Sequence, residues 1–195
     1  MMLRHIVERR IQPAVTGVAS GLHRAGITPD MLTFTGLVLN VVAAWYYYRG
    51  RIPAAGIMIL FAGAFDMLDG AVARLGGTVS KLGAFTDSVV DRYSDFLIFG
   101  GVLCLFARNG HMTGTILSLA ALSGAFLVSY VRARAELVIP LCNVGLMERS
   151  ERIIVLAAGS LFGLLIPALW LLAVLTHATA LHRIHYTWKT GRGST

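Results

Sequence analysis

The apolar residues of this 195-residue chain are gathered into runs long enough to cross a lipid bilayer, and no other feature restricts its fold as strongly. The runs cover approximately residues 31–48, 52–72, 82–107, 114–138, 153–165 and 166–181. A soluble core has no need of segments of that length. Composition agrees, with 56% hydrophobic and 14% charged residues, where an average soluble domain carries roughly a quarter charged. The mean hydropathy is +0.69. These grounds set aside a soluble helical bundle. The expected fold is all-α: a polytopic membrane bundle of six transmembrane helices preceded by an N-terminal amphipathic interfacial helix. It forms one domain over residues 1–195, and the break between the last two spans is expected around Pro167.

The interfacial helix is read over residues 3–25, within a juxtamembrane segment 1–26. Ile6, Ile11, Val15, Val18 and Leu22 lie on one face, and Arg4, Arg9, Arg10 and Arg24 suit the headgroup level. Gly26 to Asp30 interrupts the pattern, and Thr28-Pro29 starts the next helix. The bundle then occupies 31–182 and a basic cytoplasmic tail 183–195. Met1 to Arg10 has no apolar core, so the first span rather than a cleavable signal is expected to direct insertion.

Charge distribution supports six spans with both termini in the cytoplasm. Of the 17 Lys and Arg, only Arg49, Arg51 and Arg108 then face outward, as the positive-inside rule requires. The expected location is the cell membrane, inner or plasma, with the active site cytoplasmic. The net charge of +7 is spread between apolar segments without a long basic run; it fits anionic lipid heads, and no nucleic-acid partner is expected. Cys104 and Cys142 read as small buried hydrophobes, not as a disulfide or zinc site.

The chemistry lies in Asp66-Met-Leu-Asp69-Gly70-Ala-Val-Ala73-Arg74 and, eight residues on, Gly83-Ala-Phe-Thr-Asp87-Ser-Val-Val-Asp91. Spacings of three and four put each aspartate pair on one helix face, and the short connection makes the two helices antiparallel neighbours. A carboxylate at the centre of a membrane helix costs ~2.5–3.5 kcal/mol, less near the interface. Only Arg74 and Arg92 are close enough in sequence to pair with these acids. A cation is the better neutraliser, and all-oxygen ligands select a hard one, Mg²⁺ or Mn²⁺. Small residues at Gly70, Ala73 and Gly83 let a phosphate approach closely, and Arg74 offers a fork for its oxygens.

These residues reproduce the signature of the CDP-alcohol phosphotransferase family, Asp-x2-Asp-Gly-x2-Ala-Arg-x8-Gly-x3-Asp-x3-Asp, and the chain resembles that family over nearly its whole length. The resemblance implies a phospholipid-synthesising transferase that moves a phosphatidyl group from a CDP-lipid, CDP-diacylglycerol or an archaeal equivalent, to an alcohol and releases CMP. It implies two metal ions, Mg²⁺ or Mn²⁺: Asp66, Asp69 and Asp87 on one, with Asp66, Asp87 and Asp91 available to the other. Asp91 would also be the general base. Gly70, Ala73, Arg74 and Gly83 would line the diphosphate pocket, and Asp30 and Thr33 would help hold the nucleotide, although many relatives have Asn at position 30. Ser80 is a candidate phosphate donor from the loop turned by Gly76-Gly77. A homodimer embedded in membrane lipid is also implied.

Arg132 and Arg134, with Arg149 or Arg152 from the next helix, form a candidate cationic pocket for a phosphorylated acceptor; positive-inside bias is the alternative explanation. This portion resembles the phosphatidylinositol-phosphate synthase branch, which implies that Ser129, Arg132, Arg134, Arg152 and Arg183 receive the phosphate of inositol 1-phosphate. A Lys common there is Arg132 here. Glycerol 3-phosphate is the alternative acceptor, and a metal-ion transporter is the alternative of another class. Asp95, one turn beyond Asp91, is open between a partner for a ligand or Arg92 and a plain interior polar residue. The histidines read as interface residues, and Trp45, Trp170, Trp188 and Tyr46 to Tyr48 as an aromatic belt.

Overall fold

The computed structural model describes residues 2–192, with side chains from residue 13 onward. They form seven α-helices: α1 (Met2–Arg24), α2 (Pro29–Tyr48), α3 (Ile52–Leu75), α4 (Lys81–Arg108), α5 (Met112–Ala135), α6 (Arg149–Leu161) and α7 (Leu165–Gly191). Local chemistry explains the ends. Pro29 opens α2, where its missing N–H costs nothing, and Thr28 Oγ1 accepts the N–H of Met31 at 3.4 Å. His111 Nδ1 accepts from the Gly114 N–H at 3.0 Å and caps α5.

The last two helices differ from expectation in two respects. Their break falls at residues 162–164, where Gly163 takes a left-handed φ of +70° that a side chain would resist. Pro167 lies in the first turn of α7, a position that tolerates proline. Secondly, α7 continues to Gly191, so most of the expected tail is helical. Tyr186 packs against the buried Ala135, Ile139 and Cys142, which gives that extension a footing. Residues 193–195 of the tail lie outside the described residues.

Four helices, α2, α3, α5 and α7, are long and apolar enough to cross a membrane. α4 holds more than two charges in any 18-residue stretch, because Asp91, Arg92 and Asp95 sit near its middle and fall within every such stretch. α6, at 13 residues, reaches only about 20 Å. Large apolar side chains point outward along the spanning helices, among them Val38, Phe61, Leu119, Trp170 and Val174. Between 28% and 44% of each spanning window is buried inside the chain. A water-soluble monomer does not expose apolar surface on that scale; lipid covers it, and this is a membrane protein.

The chain divides into two compact units. Unit 1 comprises residues up to Leu39 and Phe61–Tyr93, and its core holds Ala19, Leu32, Ala71 and Val72 with Val15, Leu22, Ile27, Phe65 and Leu68 around them. Val15, Ala19 and Leu22 therefore form the inward stripe of α1, at helical spacing. Val18, expected on that face, sits at its margin and is 53% exposed. The side chains of Arg4, Ile6, Arg9, Arg10 and Ile11 lie outside the described residues.

Unit 2 comprises Asn40–Leu60 and residues from Ser94 onward. Tyr47, Ile59, Val102, Leu156, Leu169 and Leu172 are fully buried in its core. Its helices approach closely over small residues. A β-carbon at Gly101 would stand 2.7 Å from the backbone of Ala44, and one at Gly124 would collide with Thr176. The Tyr47 and Ser160 hydroxyls share a hydrogen bond of 2.5 Å. Cys142 is buried as expected, but Cys104 is exposed; both are free thiols.

Candidate active site

The last three turns of α3 and the first two of α4 belong to unit 1, and they bring three carboxylates together. Asp66 and Asp69 share a face of α3, Asp87 faces them from α4, and one oxygen of each lies within 4.8 Å of the others. Asp69 is buried and the other two are half-buried. Oxygens on opposite sides of a hard cation lie ~4–5 Å apart, so this spread suits a single ion. Three carboxylates this close in apolar helices also need a positive charge between them. A divalent metal ion fits the trio on both counts.

Thr33, from α2, anchors the trio. Its Oγ1 donates to Asp69 Oδ2 at 2.6 Å, with the Pro29 carbonyl 3.1 Å away. That bond fixes the orientation of the Asp69 carboxylate. Sequence reasoning associated Thr33 with the nucleotide; the bond to Asp69 has no signal in the sequence, since 36 residues separate the two. Asp91, one turn after Asp87, stands outside the trio with Oδ2 3.4 Å from Arg92 NH2.

The small residues have structural partners. Arg74 folds back over Gly70, where a β-carbon would be 3.2 Å from its NH1. The glycine thus makes room for the guanidinium. Ala73 is half-buried, while Arg74 and Asp30 are exposed. Ser80 Oγ accepts the Gly83 N–H at 3.0 Å, capping α4 and keeping its own proton for another acceptor. A β-carbon on Gly83 would press on that oxygen at 3.1 Å, and one on Gly76 would press on His23 at 3.0 Å.

The candidate acceptor residues all belong to unit 2 and fall into two groups. Ser129, Arg132, Arg134 and Arg149 are half-buried or exposed. Ser129 donates to the Ala125 carbonyl at 3.3 Å. Arg132 Nε donates to Glu136 at 3.0 Å, one turn on, and its NH2 lies 3.4 Å from Asn143 Oδ1. Arg152 and Arg183, in contrast, are each 2% exposed. Arg152 NH2 donates to Asp95 Oδ2 at 2.7 Å and its NH1 to the Met147 carbonyl at 3.3 Å. Arg183 donates to the Val144 and Val128 carbonyls, each at 2.8 Å, and its NH2 stands 3.7 Å from Glu148. The charges of Arg132, Arg152 and Glu148 all act on Arg183. Sequence reasoning missed Asp95 as the partner of Arg152; its place one turn after Asp91 was the available signal. The carbonyls that hold Arg183 leave no trace in a sequence.

Three carboxylates placed to hold a divalent cation in a membrane protein, with an arginine and small residues on the same helix, suit an enzyme that handles phosphate groups. Residues 26–186 match the model of the CDP-alcohol phosphatidyltransferase family, and the chain belongs to that family; it is an enzyme of phospholipid biosynthesis. The archaetidylinositol phosphate synthase of Methanothermobacter thermautotrophicus is 36% identical over 192 residues, covering 95% of this chain and 92% of the relative. The crystal structure of the Mycobacterium tuberculosis phosphatidylinositol phosphate synthase with manganese and citrate superposes with a TM-score of 0.82 at 34% identity, covering 89% of this chain and 88% of that one. The same enzyme with CDP-DAG bound superposes with a TM-score of 0.81 at 34% identity, covering 89% and 93%.

Proposed function

We propose that this enzyme transfers the lipid phosphoryl group of a CDP-lipid, CDP-diacylglycerol or its archaeal ether counterpart, to inositol 1-phosphate. The observation that carries the reading is the convergence of Asp66, Asp69 and Asp87 in a chain of this family. Two divalent ions, Mg²⁺ or Mn²⁺, are assigned to Asp66, Asp69, Asp87 and Asp91. Ions bound there neutralise charge on the diphosphate and on the departing CMP. Arg74, with Ser80 and the small residues Gly70, Ala73 and Gly83, holds the diphosphate, and Asp30 and Thr33 serve the nucleotide side. Asp91 takes the proton of the acceptor hydroxyl. The acceptor oxygen then bonds to the β-phosphorus as the bridging oxygen leaves with CMP.

Ser129, Arg132, Arg134, Arg149, Arg152 and Arg183 are assigned to the acceptor phosphate. What supports this is the clustering of arginine charge around Arg183 and the names borne by the relatives. The topology we propose has six spans, α2 to α7, with α1 lying at the interface. Both termini and the site face the cytoplasm, the enzyme sits in the cell membrane, and it works as a homodimer. The placement of Lys and Arg supports that orientation.

The test is CMP release by purified protein with Mg²⁺ and CDP-diacylglycerol, with inositol 1-phosphate, glycerol 3-phosphate or free inositol offered separately. Release with inositol 1-phosphate alone is the expected result. Release with glycerol 3-phosphate would keep the chemistry and change the acceptor. No release with any of them, together with no thermal stabilisation by CDP, would sink the phosphotransfer reading and favour a metal-ion transporter.

A further inference from the structure

We propose that Asp95 is a positioning residue for the acceptor phosphate and acts through Arg152. The inference rests on the acceptor-pocket reading above and adds to it a residue which that reading does not contain. Asp95 is 3% exposed on α4, and its Oδ2 receives Arg152 NH2 from α6 at 2.7 Å. The Met147 carbonyl receives NH1 at 3.3 Å. Two bonds in different directions fix the plane of a guanidinium, and with it the direction of every remaining N–H. One of those, Nε–H, is buried and has no hydrogen-bond partner among the described residues. A buried donor left unspent is costly unless something uses it. An anion with several acceptor oxygens, such as a phosphate monoester, is the chemistry that would do so.

A guanidinium cannot shed its charge. Without Asp95, Arg152 would turn to another carboxylate. Glu148, one helical turn earlier and so on the same face, already faces Arg183 at 3.7 Å. Asp95 therefore does two things: it fixes the aim of Arg152, and it keeps Arg152 from drawing Glu148 away from Arg183. A pair that only held helices together would not need a cation with an idle donor, because well-packed apolar residues hold them at least as well.

The experiment compares Asp95→Asn, Arg152→Gln and the double variant in the full chain, with Mg²⁺, CDP-diacylglycerol and inositol 1-phosphate. Asp95→Asn is expected to raise KM for inositol 1-phosphate about tenfold or more, the scale of one charged hydrogen bond. KM for CDP-diacylglycerol should stay within about twofold, and the Asn substitution should add nothing once Arg152 is Gln. A full effect of Asp95→Asn in the Arg152→Gln background, or equal shifts in both KM values, would overturn the proposal. If Arg152→Gln alone leaves the acceptor KM at the wild-type value, the acceptor-pocket reading of Arg152 itself fails. A rise in Tm on adding CDP reports a folded donor site in each variant. Should Asp95→Asn lack it, Asp95→Glu keeps the charge on a longer arm and is expected to shift the acceptor KM selectively; a wild-type acceptor KM in that variant would overturn the proposal.

Discussion

Thr33 Oγ1 donates to Asp69 Oδ2 at 2.6 Å, which ties the first turns of α2 to the most buried carboxylate of the trio. A hydroxyl in that position holds a ligand in its binding rotamer before an ion arrives, and losing such a partner typically costs ~10–100-fold in metal affinity or activity. Thr33→Val keeps the shape and removes the donor. The expected outcome is a right-shifted Mn²⁺ dependence of CMP release with near-normal turnover at saturating Mn²⁺. An unchanged metal titration would show that Asp69 needs no such support.

Asp91 differs from the other aspartates in standing outside the trio, with Arg92 beside it. Of the four carboxylates assigned to the ions, the one apart from the convergent trio is best placed to exchange a proton with the acceptor. Asp91→Asn is expected to lower kcat by at least ~10²-fold while the CDP-dependent rise in Tm persists. Wild-type turnover in that variant would remove Asp91 from the base role.

Much of this architecture is legible in the sequence because the membrane imposes a coarse, strong pattern. Apart from the C-terminal end of α7, the helices begin and end within a few residues of the apolar runs, and the aspartate spacings alone put Asp66 and Asp69 on one face. The misses have physical reasons. Periodicity cannot distinguish Val18, at the margin of the α1 stripe, from Ala19 at its centre. The helical residues beyond Leu181 are held by packing of Tyr186, a tertiary effect that no local signal announces. Arg152 and Arg183 read as acceptor-phosphate candidates in the sequence, and nothing there announces that both are buried. Their acceptors are a carboxylate on another helix and backbone carbonyls, which residue types do not encode.

Close helix approach in unit 2 gives a stability prediction with an internal control. A β-carbon at Gly124 would collide with Thr176, whereas one at Gly100 meets nothing within 4 Å. Gly124→Ala should cost about 1–3 kcal/mol through overpacking, read as a lower Tm in detergent. Gly100→Ala should be neutral or stabilising by up to ~1 kcal/mol, because alanine favours the helix. Equal effects at the two positions would mean that α5 and α7 separate more easily than the buried contact implies.

Arg134 and Arg183 separate acceptor binding from structural support. Arg134 is exposed at the end of α5, so its replacement leaves no buried group unpaired. Arg134→Ala is expected to raise KM for inositol 1-phosphate with Tm unchanged. Arg183 spans the Val128 and Val144 carbonyls at 2.8 Å from inside α7. Arg183→Gln should therefore lower Tm as well, since it removes two hydrogen bonds from a charged donor, each worth ~1.5–3 kcal/mol. The deciding measurement is both KM values and Tm on the same two variants. If Arg134→Ala shifts KM for CDP-diacylglycerol as much as that for the acceptor, Arg134 does not belong to a dedicated acceptor pocket. If Arg183→Gln leaves Tm intact, the two carbonyls find other donors, and the burial of this arginine then reflects a demand of the ligand rather than of the fold.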